Sequence, residues 1–320
     1  MSDSSRLAIT KAERYRGSLV GLAVGDALGT TLEFCPPASF TPIRDMVGGG
    51  PFALAAGQWT DDTSMALCLA ESLIERRGFE PVDQLERYVR WYRHGYLSST
   101  DRCFDIGQTV QEALHRFEQM RLPYCGSDDP ETAGNGSLMR LAPVPLFYGR
   151  DPRQAIERAA ESSRTTHQAR EAVDACRYLS ALLVGGIKGI PRHELLRNYF
   201  EPVPGLWARA PLIPTIAEIA AGSFKRREPP AIRGSGHVVR SLEAALWALY
   251  RSRSFREGAL LAVNLGDDAD TTGAVYGQLA GALYGERGIP EDWRAMLARR
   301  ELIIRLADSL FEHAERPSGR

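Results

Sequence analysis

Two short acidic stretches carry the residues best suited to chemistry. Thr60-Asp61-Asp62-Thr63 sits in "GQWTDDTSMALCLAESL", immediately before an apolar helical pattern. Asp267, Asp268 and Asp270, followed by Thr271 and Thr272, sit in "NLGDDADTTGAVYG", before another. Alone, the first stretch reads as an over-acidic helix start. Thr60 suits an N-cap, and acids in a first turn complement the helix dipole. Capping does not require two adjacent aspartates, however, and the second stretch repeats the chemistry far downstream. Positions i and i+2 lie on different helix faces, so Asp268 and Asp270 converge on one ion only from a loop or a first turn. Glu33, at the end of "GDALGTTLE", is a third acid placed in a loop.

These groups are all oxygen donors. Neither cluster contains histidine or cysteine, which argues against structural zinc, whereas carboxylates with threonine hydroxyls suit Mg²⁺, Mn²⁺ or Ca²⁺. Glu33, Asp61, Asp62, Asp268 and Asp270 would bring five negative charges together; two divalent cations nearly neutralise them, and without cations they repel. The spacing is not that of an EF-hand loop. Separate salt bridges are the alternative for each acid.

The elements that must position these residues read as helices. "PVDQLERYVRWYRHGYL", "HQAREAVDACRYLSALLVGGI", "VVRSLEAALWALYRSRS" and "WRAMLARRELIIRLADSLFEHAE" all space apolar residues at three and four. Gly185-Gly186 reads as a stop for the second. Strand alternation is missing, so the expected class is all-α, with ten or more helices in a single compact domain over 1–320. Its core is expected over about 12–295, with flexible termini. Gly17, Gly21, Gly25 and Gly29 recur every four residues, as do Gly273, Gly277, Gly281 and Gly285. Each glycine inside a helix costs roughly 1 kcal/mol relative to alanine. Close helix–helix approach along a small-residue face is the expected compensation, and it would bring distant loops together. "CPPASFTPIRDMVGGGPF", "YCGSDDPETAGNG" and "FKRREPPAIRGSG" read as loops.

Bulk composition is permissive. A net charge of −1 across 320 residues gives no sign of a polyanion-binding surface, so no nucleic-acid partner is expected. Five dispersed cysteines read as free thiols of a reducing compartment. No stretch has the length of a membrane span or a signal-peptide core, so a cytoplasmic protein without a membrane partner is expected.

In order, the motifs G-D-A-L-G with its following Glu33, T-D-D-T, G-N-G-S-L-M-R, T-H and D-A-D-T-T-G-A resemble those of the ADP-ribosylglycohydrolase family, especially the bacterial branch of dinitrogenase-reductase-activating glycohydrolases. The resemblance covers most of the chain. It implies an all-α fold, two divalent cations (Mg²⁺ or Mn²⁺) and hydrolysis of the bond between ADP-ribose and a modified side chain. Arginine is the usual target in this branch and serine in another. The implied metal ligands are Thr60, Asp61, Asp62, Asp268, Asp270 and Thr271. Glu33 matches an acid that joins the metal site or gates it in some relatives. Asp62 and Glu33 are the candidates for taking a proton from water. Thr132, Asn135, Gly136 and Ser137 are expected to line the ADP-ribose cleft, with Met139 below that loop, while Arg140 would pair with phosphate or with an internal acid. His167 is expected to touch the ribose or diphosphate.

Asp105, in "CFDIGQTV", resembles an acid near the guanidinium side of the scissile bond; the alternative is a helix cap. The implied partner is an ADP-ribosylated protein, the target of a toxin or a regulatory transferase, with ADP-ribose as product. A non-catalytic ADP-ribose binder or toxin-immunity protein on the same fold is the rival reading. The chain departs from the family's pattern at Asp267, where a second glycine is usual. It departs again at His237, where an aromatic is common, and at Arg240, where an aspartate is common.

Overall fold

Helix formation in this chain follows the apolar spacing, and the structure, a computed structural model describing residues 8–316, is built from fifteen α-helices. Among the described residues there is no β-strand, only three isolated bridges. Residues 1–7 and 317–320, part of the termini expected to be flexible, lie outside the described residues. No described helix is long and apolar enough to cross a membrane.

At the centre, the first helix, Lys11–Gly29, lies antiparallel against Ala269–Tyr284. The two glycine stripes face each other. A Cβ on Gly17 would stand 2.3 Å from the Gly281 carbonyl oxygen, one on Gly21 2.4 Å from that of Gly277, and one on Gly25 2.0 Å from that of Gly273. No larger residue fits at that separation, which accounts for the helix propensity given up at each glycine. The register puts the C-terminal end of the first helix beside the N-terminal end of the other. A Cβ on Gly29 would fall 2.2 Å from the Asp270 Cα.

Two expectations about the helices need correction. Gly185 and Gly186 do not stop their helix, which runs Arg170–Ile187 and turns away at Gly189, where φ is +78°. They admit neighbours instead: a Cβ on Gly185 would meet Leu195 and Phe200 at 2.5 and 2.6 Å. The pattern "WRAMLARRELIIRLADSLFEHAE" is two helices, Glu291–Met296 and Arg300–Glu315, separated by left-handed Arg299. Ile303, Ala307 and Leu310 are fully buried, so the core continues beyond residue 295. All five cysteines are free thiols.

Candidate metal centre and cleft

The helix Asp61–Arg76 joins the two glycine-striped helices at its first turn. Thr60 occupies the N-cap position, but its side chain does not cap the helix. That role passes to Asp26, on the first helix. One oxygen of Asp26 accepts from the Thr60 N–H at 2.9 Å and the Thr60 hydroxyl at 3.0 Å; the other accepts from the Thr63 N–H at 3.0 Å and the Thr63 hydroxyl at 2.6 Å. A carboxylate borrowed from another helix thus satisfies two orphan donors and fixes where the acidic turn begins.

The Thr60 hydroxyl also lies 3.1 Å from Asp62 Oδ2 and 3.2 Å from Asp270 Oδ2. One hydroxyl has one proton to give, so three carboxylates share a single donor. Asp26, Asp62 and Asp270 place ligand atoms within 4.8 Å of one another, and so do Glu33, Asp105 and Asp270. Asp270 belongs to both groups. Glu33 Oε2, Asp62 Oδ1 and Asp270 Oδ1 are buried without a hydrogen-bond partner. Buried charge normally demands a partner. Here the largest influences on Glu33, Asp61, Asp62 and Asp270 are burial and other carboxylates, with no lysine or arginine among them.

Protonation follows from that crowding. Burial, then Asp105 and Asp268, pushes Glu33 up to about 10. Asp105 rises to about 7, through burial and then Asp268. Asp26 rises to about 6 through burial, held back by its bonds to Thr63 and Thr60. Asp61, Asp62 and Asp270 are raised well above the usual carboxylate range by burial and their acidic neighbours. Such a cluster favours protons or cations over free charge.

The acids form one wall of a cleft of about 300 Å³, to which Glu33, Asp61, Asp105, Asp268, Asp270 and Thr271 all contribute. Gly134, Asn135, Gly136, Met139 and His167 face them. A larger cavity of about 900 Å³, walled by residues such as Phe40, Pro230 and Trp247, is apolar and touches none of these acids; the smaller cleft is the candidate site because the chemistry is there. Asn135 donates to Asp268 Oδ2 at 2.6 Å, so it orients an acid as well as lining the cleft. His167 is fully buried, and burial, then Arg140, lowers it to about 3. Arg140 Nη2 donates to the Thr166 hydroxyl at 2.7 Å, which in turn lies 2.9 Å from His167 Nδ1. The ring is neutral, and when the Thr166 hydroxyl gives its proton to Nδ1 the ring's own N–H stands at Nε2, on the cleft wall.

A sequence model of the family described as ADP-ribosylglycohydrolase matches residues 7–319. The chain belongs to the ADP-ribosylglycohydrolase family. It is 45% identical over 302 residues to a protein of Pseudomonas putida named ADP-ribosylarginine hydrolase Tri1, covering 94% of this chain and 79% of that one. It is 30% identical over 304 residues to the ADP-ribosyl-[dinitrogen reductase] glycohydrolase of Rhodospirillum rubrum, covering 89% and 90% of the two chains. A solved structure titled ADP-ribosylglycohydrolase-related protein complex superimposes with a TM-score of 0.84 at 45% identity, over 95% of this chain and 99% of that one.

Against this family's pattern, several expected site residues stand elsewhere. Ser137 turns inward to Ser163 at 2.8 Å, and the Thr132 hydroxyl donates to the Asp129 carbonyl at 2.7 Å; neither lines the cleft. The glycine at 136 is required by His167, since a Cβ there would stand 2.9 Å from its Cε1. The N–H groups of Gly134 and Asn135 are already given to Thr132 and Gly236. Arg140 pairs with no acid: it is fully buried over the Tyr88 ring and bonds the Gly136 carbonyl. Asp105 caps no helix, because the next one begins at Gln108 with Gly107 as its N-cap. Asp267 sits at φ +60°, a left-handed position that glycine meets freely and aspartate tolerates. Its N–H donates to the Cys35 carbonyl and its carbonyl accepts from Phe34, each at 2.7 Å, tying the Glu33 loop to the second acidic loop. His237 stands at 3.3 Å from Glu171, and exposed Arg240 lies at 3.9 Å from Glu243. Asp26 was missed in the sequence; its signal was a lone charge inside an apolar glycine stripe.

Proposed function

We propose that the chain hydrolyses the N-glycosidic bond between ADP-ribose and an arginine side chain of a protein, reversing mono-ADP-ribosylation with two divalent cations, Mg²⁺ or Mn²⁺. The observation that carries this reading is the buried split cluster, with Asp270 common to two three-carboxylate groups, in a chain 45% identical to a protein named an ADP-ribosylarginine hydrolase. The donor set fits hard cations, because three buried carboxylate oxygens lack any other partner. Thr60, Asp61, Asp62 and Asp270 would hold one ion, and Asp268, Asp270 and Thr271 the other, with Glu33 beside them on the cleft wall. Each Asp26 oxygen already accepts two hydrogen bonds, so Asp26 positions the ligands rather than joining them. Bound cations supply Lewis acidity, which lowers the pKa of water and orients ribose hydroxyls.

The chain's own groups account for the rest. Asp105 presents a carboxylate to the planar guanidinium, a natural match for its fork of donors. His167 Nε2–H donates to a ribose or diphosphate oxygen. As the carbon–nitrogen bond breaks, its electron pair goes to the guanidine nitrogen, and the surrounding carboxylates stabilise the oxocarbenium-like ribose. The water oxygen bonds the anomeric carbon. Its proton passes to a carboxylate and finally to the departing guanidine. Glu33 is better placed for this than Asp62, because it lines the cleft while Asp62 Oδ2 faces Thr60. The substrate would be a protein modified by a toxin or a regulatory transferase, and five free thiols suit the cytoplasm as its location.

The test is release of ADP-ribose from arginine-linked and serine-linked peptides, followed side by side. Release from the arginine linkage is expected. Release from serine alone, or binding of ADP-ribose without turnover of either, would replace this reading with one of its rivals.

A further inference from the structure

Glu33 and Asp105, the two acids proposed to act nearest the leaving group, are each flanked by a phenylalanine, and a third ring joins the two. Phe34 follows Glu33 and Phe104 precedes Asp105. Phe52 lies between them, with ring centroids 6.4 Å from Phe34 at 74° and 5.1 Å from Phe104 at 58°. Edge-to-face and tilted pairs at these distances are attractive, so the three rings form one aromatic wall. It joins the two loops that carry Glu33 and Asp105, whose carboxylates lie within 4.8 Å of each other.

Phe34 is the unusual member. It lines the cleft, yet it is 65% exposed, the most exposed large hydrophobic side chain among the described residues. Its backbone is left-handed, with φ +60°. A bulky residue in that region is strained, and the strain persists because the Phe34 N–H is bound to the Asp267 carbonyl at 2.7 Å. Glycine or asparagine would meet the same turn at lower cost. An aromatic ring kept in a strained turn, open to water and beside two carboxylates, buries little of its own surface. The ring and both carboxylates line the same cleft.

We propose that Phe34 determines specificity for the arginine side of the substrate, its ring packing against the guanidinium that Asp105 holds at its edge. This rests on the arginine-directed reading above. The ring's electron-rich face attracts a flat cation, while the carboxylate takes the N–H groups in the guanidinium plane. The wall would distinguish arginine-linked from serine-linked ADP-ribose, since serine offers no planar cation to cover it.

The test uses the full chain with an ADP-ribosyl-arginine peptide and measures KM, kcat and the inhibition constant of free ADP-ribose. Phe34→Ala and Phe34→Leu should each raise KM about 5- to 30-fold, the range expected for loss of one desolvated cation–π contact. Phe34→Tyr should restore wild-type KM, and inhibition by ADP-ribose, which has no guanidinium, should be unchanged in all three. An unchanged KM in Phe34→Ala overturns the assignment. A parallel loss of ADP-ribose affinity also overturns it, showing that the ring merely holds the Glu33 loop. If wild-type protein fails to release ADP-ribose from the arginine peptide at all, the functional reading fails first and takes this one with it.

Discussion

Substituting alanine at either end of the glycine seam separates the seam's two roles. In Gly25→Ala the new Cβ would stand 2.0 Å from the Gly273 carbonyl oxygen, against the 3.4 Å at which ordinary contact begins. The facing helices must part by about 1.4 Å. In Gly281→Ala the corresponding distance is 1.8 Å, from the Gly17 oxygen, so the local insult is similar. Overpacking of this kind costs about 1–3 kcal/mol, offset by about 1 kcal/mol of improved helix propensity. Clashes with backbone atoms this close belong at the upper end of that range, so both variants should lose about 2 kcal/mol in chemical denaturation. Function should divide them. Gly25 adjoins Asp26, and the Thr60 hydroxyl bridges Asp26 and Asp270 at 3.0 and 3.2 Å, too tightly to survive such a separation. Gly281 lies about 16 Å along its helix from Asp270. Assayed well below their unfolding temperatures, Gly25→Ala should lose ADP-ribose release about 100-fold, together with its stabilisation by added Mn²⁺, while Gly281→Ala keeps both. Equal losses of activity, or wild-type stability in both, would refute the idea that the seam sets the site's geometry.

Other consequences are open to direct measurement. Asp270→Asn should abolish Mn²⁺ binding in calorimetry and cut turnover at least about 100-fold, yet raise the unfolding temperature in EDTA at alkaline pH, because an amide needs no proton to stay neutral in the crowded buried cluster. Asp26→Asn cannot accept all four hydrogen bonds; Mn²⁺ affinity should fall about 10-fold as the ligands lose their support. In EDTA, stability should decline with pH. Asp26, Asp105 and Glu33 are raised to about 6, 7 and 10, so the folded state holds more protons than the unfolded one above the ordinary carboxylate range. Their contribution is complete below about pH 4 and is lost as pH climbs through those values. Unfolding temperatures at pH 5 and pH 8 should differ in EDTA and converge with saturating Mn²⁺; the opposite slope would contradict the assignment of these acids.

What the sequence made legible was repetition. Four glycines at a spacing of four announce a seam, and two acidic helix starts announce a divided site, because both are patterns of residue type. Asp26 escaped because its importance lies in direction: it caps a helix thirty-four residues away, which no local spacing reveals. Arg140 and Ser137 were misplaced for the same reason, since a motif names residues without saying which side of the loop each faces. Gly136 looked like an opening for a ligand, but its neighbour is His167. Phe34 and Phe104 carried no motif, and only folding brings them to the same rim.

On this reading the split carboxylate cluster works on arginine-linked ADP-ribose through bound cations. Titrating Mg²⁺ or Mn²⁺ into EDTA-stripped protein, while following ADP-ribose release from an ADP-ribosyl-arginine peptide, tests it most directly. Release should be negligible without cation and rise to a plateau as the cation is added. Release of equal rate in EDTA, or none at any cation concentration, would contradict the account.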